Sequence, residues 1–224
     1  MKILLHICCS NCALYPLKIF RSGGHDFTGF WFNPNIHPLE EYSARLESLK
    51  KISNDWRIDM HYIEEFKPKD YFKALNLPLD YLSCHSEFIS ESLDAIRHMS
   101  KEILKQVQDN NHRTVISNSN QNERVPPAPD RCRLCYRLRL EKTAEQAQNE
   151  GFDAFSTTLL ISPYQDFEEL AKTGNDLAEK YNVHFHLEDF RPYFRDAMNL
   201  SRELGLYRQN YCGCIFSREE RKKR

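Results

Sequence analysis

Seven of the eight cysteines fall into three tight groups: Cys8-Cys9-x-x-Cys12, Cys132-x-x-Cys135 and Cys212-Gly213-Cys214. A thiolate is at once a nucleophile, an electron donor and a soft metal ligand. Thiols grouped at such spacings therefore speak for metal or redox chemistry. Cys132-x-x-Cys135 at a helix start supplies two ligands at the separation that zinc or an iron–sulfur cluster needs, and a pair from the N-terminal group completes four. Vicinal Cys8 and Cys9 suit the corners of a wide cluster better than one small tetrahedral ion. Seven thiols also exceed what a single zinc site uses. The glycine in Cys212-Gly213-Cys214 lets thiols two apart close on each other, and the resulting disulfide would be strained and easily reduced. That describes a redox pair; its alternative is a chelate for a second metal, with Cys12. An inert buried thiol is the common fate of a lone cysteine, but three clustered groups argue against it. Cys84, set apart from these groups, reads as an adventitious surface thiol.

The elements that must position these thiols read as α/β. Lys2–Ile7 is a short apolar run, which fits a strand covered on both faces. A helix follows over Ala13–Arg21, with Pro16 tolerable only in its first turn. Thiols at the carboxyl end of a first strand and near a helix N-terminus sit where open α/β sheets keep their ligand crevice, and the helix dipole favours the thiolate there. Phe27–Phe32 and Arg57–Ile63 read as further strands. Helices are expected over Leu39–Asn54, opened by Pro38, and over Asp70–Leu75. The stretch Ser22–Asp26 is a turn rather than a phosphate loop, because it precedes a strand instead of following one. A helix over Cys132–Asn149, capped by Asp130 and stopped by Gly151, places Cys132 and Cys135 in its first turn. Ala154–Leu160 and Val183–Leu187 complete the strands, with helices over Asp166–Tyr181 and Tyr193–Leu204. His6 in its apolar strand reads as a satisfied core residue. The fold expected is a doubly wound, mostly parallel sheet, Rossmann-like or adenine nucleotide hydrolase-like, in a single domain over 1–224.

Residues 83–130 break this pattern. They are rich in Ser, Asn and Gln and end in Val125-Pro-Pro-Ala-Pro129. They read as a long inserted loop with one amphipathic helix over Leu93–Val107, and the wording resembles translated palindromic repeats found inside some bacterial genes.

Composition sets outer bounds. A chain of 224 residues with net charge −1 supports one substantial core and no wholesale nucleic-acid coat, though a local basic face is compatible. The N-terminal apolar run lacks a cleavage site, and no stretch reaches the roughly 18 apolar residues of a membrane span. The expectation is a cytoplasmic protein with no membrane partner, in which clustered cysteines are not structural bridges.

HICCSNC, RCRLCYRLRLEKTA, FSTTLLISPYQ, the run Asp189–Arg191 and LYRQNYCGCIFSREER together resemble the cobalamin-independent epoxyqueuosine reductases of the DUF208 type, over nearly the whole chain outside 83–130. The resemblance implies an enzyme that finishes queuosine synthesis on tRNA without cobalamin. It implies a [4Fe–4S] cluster on Cys8, Cys9, Cys132 and Cys135. It also implies a redox-active pair, or ligands of an additional mononuclear iron, at Cys212 and Cys214, with Cys12 less certain as a third ligand. The reaction removes the epoxide oxygen to leave an alkene, with two electrons and two protons from an unidentified donor. Asp189, Tyr164 and His6 are candidate proton donors, with Asp189 carried forward as catalytic. For tRNA, Arg131, Arg133, Arg137 and Arg139 with Tyr136 as a stacking aromatic, and the tail residues Arg221 and Lys222, are the candidate contacts. The rival reading is a zinc-stabilised RNA-binding module without redox activity, and a third is a thiol-dependent sulfur or nucleotide transferase.

Overall fold

The middle of the sheet is the most apolar part of the chain. β1 (Lys2–His6) buries Ile3, Leu4, Leu5 and His6 completely, as a strand covered on both faces must. The computed structural model describes residues 1–77 and 126–223. Among them, β1, β2 (Asp26–Trp31), β3 (Met60–Tyr62), β4 (Ala154–Thr157) and β5 (His184–Phe185) form one parallel sheet in the order β3-β2-β1-β4-β5. The chain winds outward from β1 to β3, returns to β4 on the other side of β1, and winds outward again. Right-handed crossovers then put helices on opposite faces. α1 (Ser10–Ser22) and α2 (Leu39–Trp56) cover one face, with α6 (Phe194–Glu203) packed on α1. α4 (Ala128–Asn149) and α5 (Phe167–Tyr181) pack together on the other. α3 (Pro68–Ala74) packs on α4, and α7 (Ile215–Lys222) closes the described chain. The expected doubly wound α/β architecture is what the chain adopts.

Several boundaries differ from expectation. α1 begins at Ser10, directly after the Cys9 N-cap, so Pro16 is its seventh residue and lies beyond the first turn. Proline has no N–H to give the Cys12 carbonyl there; burial of Ala13, Leu14, Leu17 and Phe20 outweighs that loss. α4 begins at Ala128, with Pro127 as N-cap. Cys132 and Cys135 are thus its fifth and eighth residues rather than members of its first turn, and the helix dipole acts weakly on them. Gly151 follows α4 at φ +66°, the left-handed stop its position suggested. β4 ends at Thr157, where the Thr157 side chain accepts from Leu159 N and turns the chain into a 3₁₀ turn over Thr158–Ile161. α7 was not expected at all.

The expected insertion lies outside the described residues as far as 125, as do Cys84 and the helix expected over 93–107. No described helix is long and apolar enough to cross a membrane.

Candidate active site

β1 and β4 are neighbours, His6 pairing with Thr157, and they lead their chains to opposite faces of the sheet. That divergence opens a crevice at their carboxyl ends. His6 is pinned beneath it, Nδ1 2.8 Å from Thr157 Oγ1 and Nε2 3.3 Å from Asn33 Oδ1. Burial pushes its pKa down to about 4, so it is a neutral core residue and not an acid. Just above, Cys8 N donates to Thr158 Oγ1 at 3.1 Å. Cys9 is the extended N-cap of α1, and Cys12 is the third residue of that helix, in its first turn. The three sulfurs lie within 4.8 Å of one another, all buried. Their surroundings favour one thiolate among the three, at Cys8, and push the Cys9 and Cys12 thiols up. Gln209 Nε2 donates to Cys9 Sγ at 2.9 Å, and Gln209 is held in turn by Asn11 Nδ2 at 2.8 Å. Hydrogen bonds from Cys12 and then Cys9 hold the Cys8 thiol well below the usual thiol range. Cys12 is pushed well above it by Cys8 and Cys9.

The second thiol pair rides on α4. Cys132 is half-buried, whereas Cys135 is buried with Cys214 in an apolar pocket made by Tyr71, Phe72 and Leu75. One turn further along α4, Arg139 is 3 % exposed and donates from Nε to the Cys135 carbonyl at 3.2 Å. Among the described residues it has no carboxylate partner. Its charge acts instead on Cys135, Cys8 and Cys212.

The third pair is carried by a loop clamped to α2 and to the segment before it. Arg45, itself buried, donates from Nη2 to the Tyr211 carbonyl at 3.0 Å and from Nη1 to the Cys212 carbonyl at 3.2 Å. His37 N donates to the Gly213 carbonyl at 2.9 Å. Three successive carbonyls are therefore held. Arg45 is oriented by Glu41 at 2.6 Å, and Glu41 by the Tyr207 hydroxyl. Gly213 adopts φ +121°, and a Cβ there would lie 3.1 Å from Arg45 Nη1 and 3.2 Å from Ile36 Cγ1. Only glycine meets both demands. The sulfurs of Cys212 and Cys214 lie 3.8 Å apart, and Cys212 is exposed. Hydrogen bonding by Cys214, then by Ser217, lowers the Cys212 thiol to about 5 against the opposing effect of burial. Cys214 is raised well above the usual range by Cys212.

Cys8, Cys12 and Cys212 all border one cavity of about 780 Å³, together with Arg45, Gln209 and Tyr211. Arg208, Arg221, Tyr164 and Phe194 border it as well.

Some expected site residues are elsewhere. Asp189 is exposed and binds Arg191 through both oxygens, at 2.8 Å to Nε and 2.7 Å to Nη2. Arg191 holds its carboxyl below the usual range, and Asp189 is not among the residues that border the cavity. Tyr136 is buried, its hydroxyl donating to Gln165 Oε1 at 3.0 Å and accepting from Asp166 N at 3.2 Å; it is not free to stack on a base. Arg131 and Arg139 are buried too, Arg131 against Glu220 at 2.6 Å. Arg133 and Arg137 are exposed, with loose pairs to Asp130 at 3.6 Å and Glu141 at 3.8 Å. Lys222 pairs with Glu219 at 2.8 Å, and Arg221 reaches the cavity. Cys12 belongs to the tight sulfur trio, a closer place than the sequence gave it; Cys132 and Cys135 stand outside that trio. The Glu41–Arg45 clamp and Gln209 were missed, although the i, i+4 spacing of Glu41 and Arg45 was visible.

The donor set fits a metal group. Three buried sulfurs lie within 4.8 Å of one another, and soft thiolates select iron–sulfur clusters, zinc or copper(I). Buried Arg45 and Arg139 offset the negative charge such a group would bring.

The family model described as "Epoxyqueuosine reductase QueH" matches residues 3–84 and 82–220. The Epoxyqueuosine reductase QueH of Dehalococcoides mccartyi is 29% identical over 220 residues, 98% of this chain and 94% of that protein. That of Thermotoga maritima is 31% identical over 224 residues, 99% of this chain and 93% of that protein. A solved structure described as a predicted subunit of tRNA methyltransferase from Methanocaldococcus jannaschii superposes with TM-score 0.48 at 10% identity, over 91% of this chain and 75% of that one; so distant a likeness carries no functional weight. Two matches spanning the described α/β body, and relatives matched almost end to end, converge with the thiol-lined crevice: the chain belongs to the QueH family of epoxyqueuosine reductases.

Proposed function

We propose that the cavity at the β1–β4 crevice reduces epoxyqueuosine in tRNA to queuosine, with Cys212 and Cys214 as the two-electron couple. The observation that carries this is the convergence of Cys8, Cys12 and Cys212 on one cavity. In the reaction both carbon–oxygen bonds of the epoxide break and a carbon–carbon double bond forms. The oxygen leaves as water after taking up two protons and two electrons. Oxidation of the Cys212 thiolate and the Cys214 thiol to a disulfide releases two electrons and one proton, and the second proton comes from solvent, so the exchange balances. An external reductant then restores the dithiol. Cys212, exposed and with its pKa lowered to about 5, faces the substrate. Cys214, with its pKa raised, holds the proton.

Cys8, Cys9, Cys132 and Cys135 are the proposed holders of a [4Fe–4S] cluster, with Cys12, Cys212 and Cys214 as ligands should an additional iron bind. A bound cluster supplies one-electron transfer between the external donor and the site. Arg45 keeps the dithiol loop in place, and Arg139 compensates thiolate charge from α4. Arg208 and Arg221 at the cavity, with Arg133, Arg137 and Lys222 on the nearby surface, attract anticodon phosphates. Loose surface ion pairs such as those of Arg133 and Arg137 hold them weakly, leaving them available to the RNA.

The test is anaerobic turnover of an anticodon stem-loop RNA carrying epoxyqueuosine, read as loss of one oxygen from the nucleoside by mass spectrometry. Iron-loaded protein with a low-potential reductant is expected to convert it. Protein that retains only zinc under the same preparation, and converts none, would favour the RNA-binding module instead.

A further inference from the structure

The aromatic side chain expected to stack on RNA, Tyr136, is buried. The structure exposes another in its place. Tyr164 is 82 % exposed, and it borders the same cavity as Cys8, Cys12 and Cys212. Its hydroxyl makes no hydrogen bond among the described residues. Its ring instead stands edge-on to Phe194, centroids 5.8 Å apart at 84°, and Phe194 also borders the cavity. An aromatic ring this exposed contributes little to folding.

The loop that presents Tyr164 is nonetheless well tied. Tyr164 N donates to Ser162 Oγ at 3.3 Å, and Gln165 N to the Ser162 carbonyl at 3.3 Å. The next two residues are fastened to the buried Tyr136 hydroxyl, through Gln165 Oε1 and Asp166 N. Tyr136 follows Cys135 directly on α4. One side chain thus connects the helix bearing a thiol pair to the loop bearing the exposed ring. A fixed, exposed ring beside a cavity that also carries Arg208 and Arg221 has the makeup of a single-stranded RNA site: an aromatic face for a base and guanidinium groups for phosphates.

We propose that Tyr164 is a stacking platform for the base adjacent to the modified nucleotide, held in place by Tyr136, so that the epoxide-bearing nucleotide alone enters the cavity. The proposal rests on the reading of the cavity as the epoxyqueuosine site. Stacking serves binding and not the bond-breaking step, so its loss belongs in KM.

Steady-state turnover of the iron-loaded chain on the epoxyqueuosine stem-loop tests it. Tyr164→Ala is expected to raise KM about tenfold, a typical effect of losing one base–aromatic stack, with kcat held within about twofold. Tyr164→Phe, which keeps the ring and loses the hydroxyl, is expected to restore KM. With stem-loops made abasic on either side of the target, one of the two should show the raised KM already in the unsubstituted protein and no further rise with Tyr164→Ala. Equal KM for Tyr164→Ala and the unsubstituted chain would overturn the platform. So would a fall in kcat for Tyr164→Phe, which would make the hydroxyl a proton donor. Failure of the unsubstituted, iron-loaded chain to turn over would instead remove the underlying reading of the cavity.

Discussion

At the scale of single residues, the proposed dithiol chemistry depends on Gly213 and its two thiol neighbours. Gly213 has φ +121°, and a Cβ there would crowd Arg45 Nη1 and Ile36 Cγ1. Gly213→Ala should cost about 1–3 kcal/mol of stability, seen as a lowered denaturant midpoint, and should slow turnover by tenfold or more while iron content holds. Cys212→Ser and Cys214→Ser should each leave the iron–sulfur absorbance in place and abolish turnover; full turnover by either would exclude the dithiol. His37 offers a separate test. Both of its ring nitrogens are buried with no hydrogen-bond partner among the described residues, beside Phe66, Tyr71 and Phe72, and burial lowers its pKa to about 3. The unfolded chain therefore takes up this proton first as pH falls through about 6.5, and stability drops progressively toward pH 3, by roughly 4–5 kcal/mol from this group. His37→Phe keeps the backbone bond to Gly213, removes the unpartnered nitrogens and should flatten that slope, with unfolding midpoints at pH 4 and 7 moving closer together. An unchanged slope would place the acid sensitivity elsewhere.

At the scale of elements, α2 is a positioning device as much as a cover for the sheet. Its Glu41–Arg45 pair holds the carbonyls of Tyr211 and Cys212. Arg45→Met would leave the buried Glu41 carboxylate with only the Tyr207 hydroxyl and no counter-charge, and two carbonyls without their donor, a loss of about 3–5 kcal/mol, measurable in urea. Arg45→Lys keeps the charge but not the fork, and should recover only part of it. The sequence revealed some elements and concealed others for physical reasons. β1 and the sulfur groups were legible because a buried parallel strand is a short apolar run and cysteine carries its chemistry in its type. The start of α1 was misjudged because Pro16 marks a helix start in isolation, yet tertiary packing tolerates it a turn deeper. α7 was missed because Cys214 is an unusual N-cap and most of the helix is polar. Its docking makes Arg131 a core residue, through Glu220 at 2.6 Å and the Phe216 ring at 5.0 Å. Burial of an arginine depends on what packs over it, and a basic helix read alone looks solvated. The Asp189–Arg191 pair was visible in the sequence, whereas its place outside the cavity lining was not.

At the scale of the molecule, a sheet whose winding reverses at β1 brings three distant segments to one rim. With a net charge of −1 over the chain, the proposed RNA site draws its affinity from local arginines such as Arg208 and Arg221. Binding should therefore weaken steeply as salt rises from about 50 to 200 mM; a flat response would count against the RNA site. The central claim is that the N-terminal thiols and the α4 pair hold one shared iron–sulfur group. Electron paramagnetic resonance of the anaerobically prepared, reduced protein, compared with Cys8→Ser and Cys135→Ser, tests it most directly. The account predicts a [4Fe–4S] signal that both substitutions abolish or alter alike. A signal lost with Cys8→Ser but untouched by Cys135→Ser, or a protein containing zinc and no iron, would contradict it.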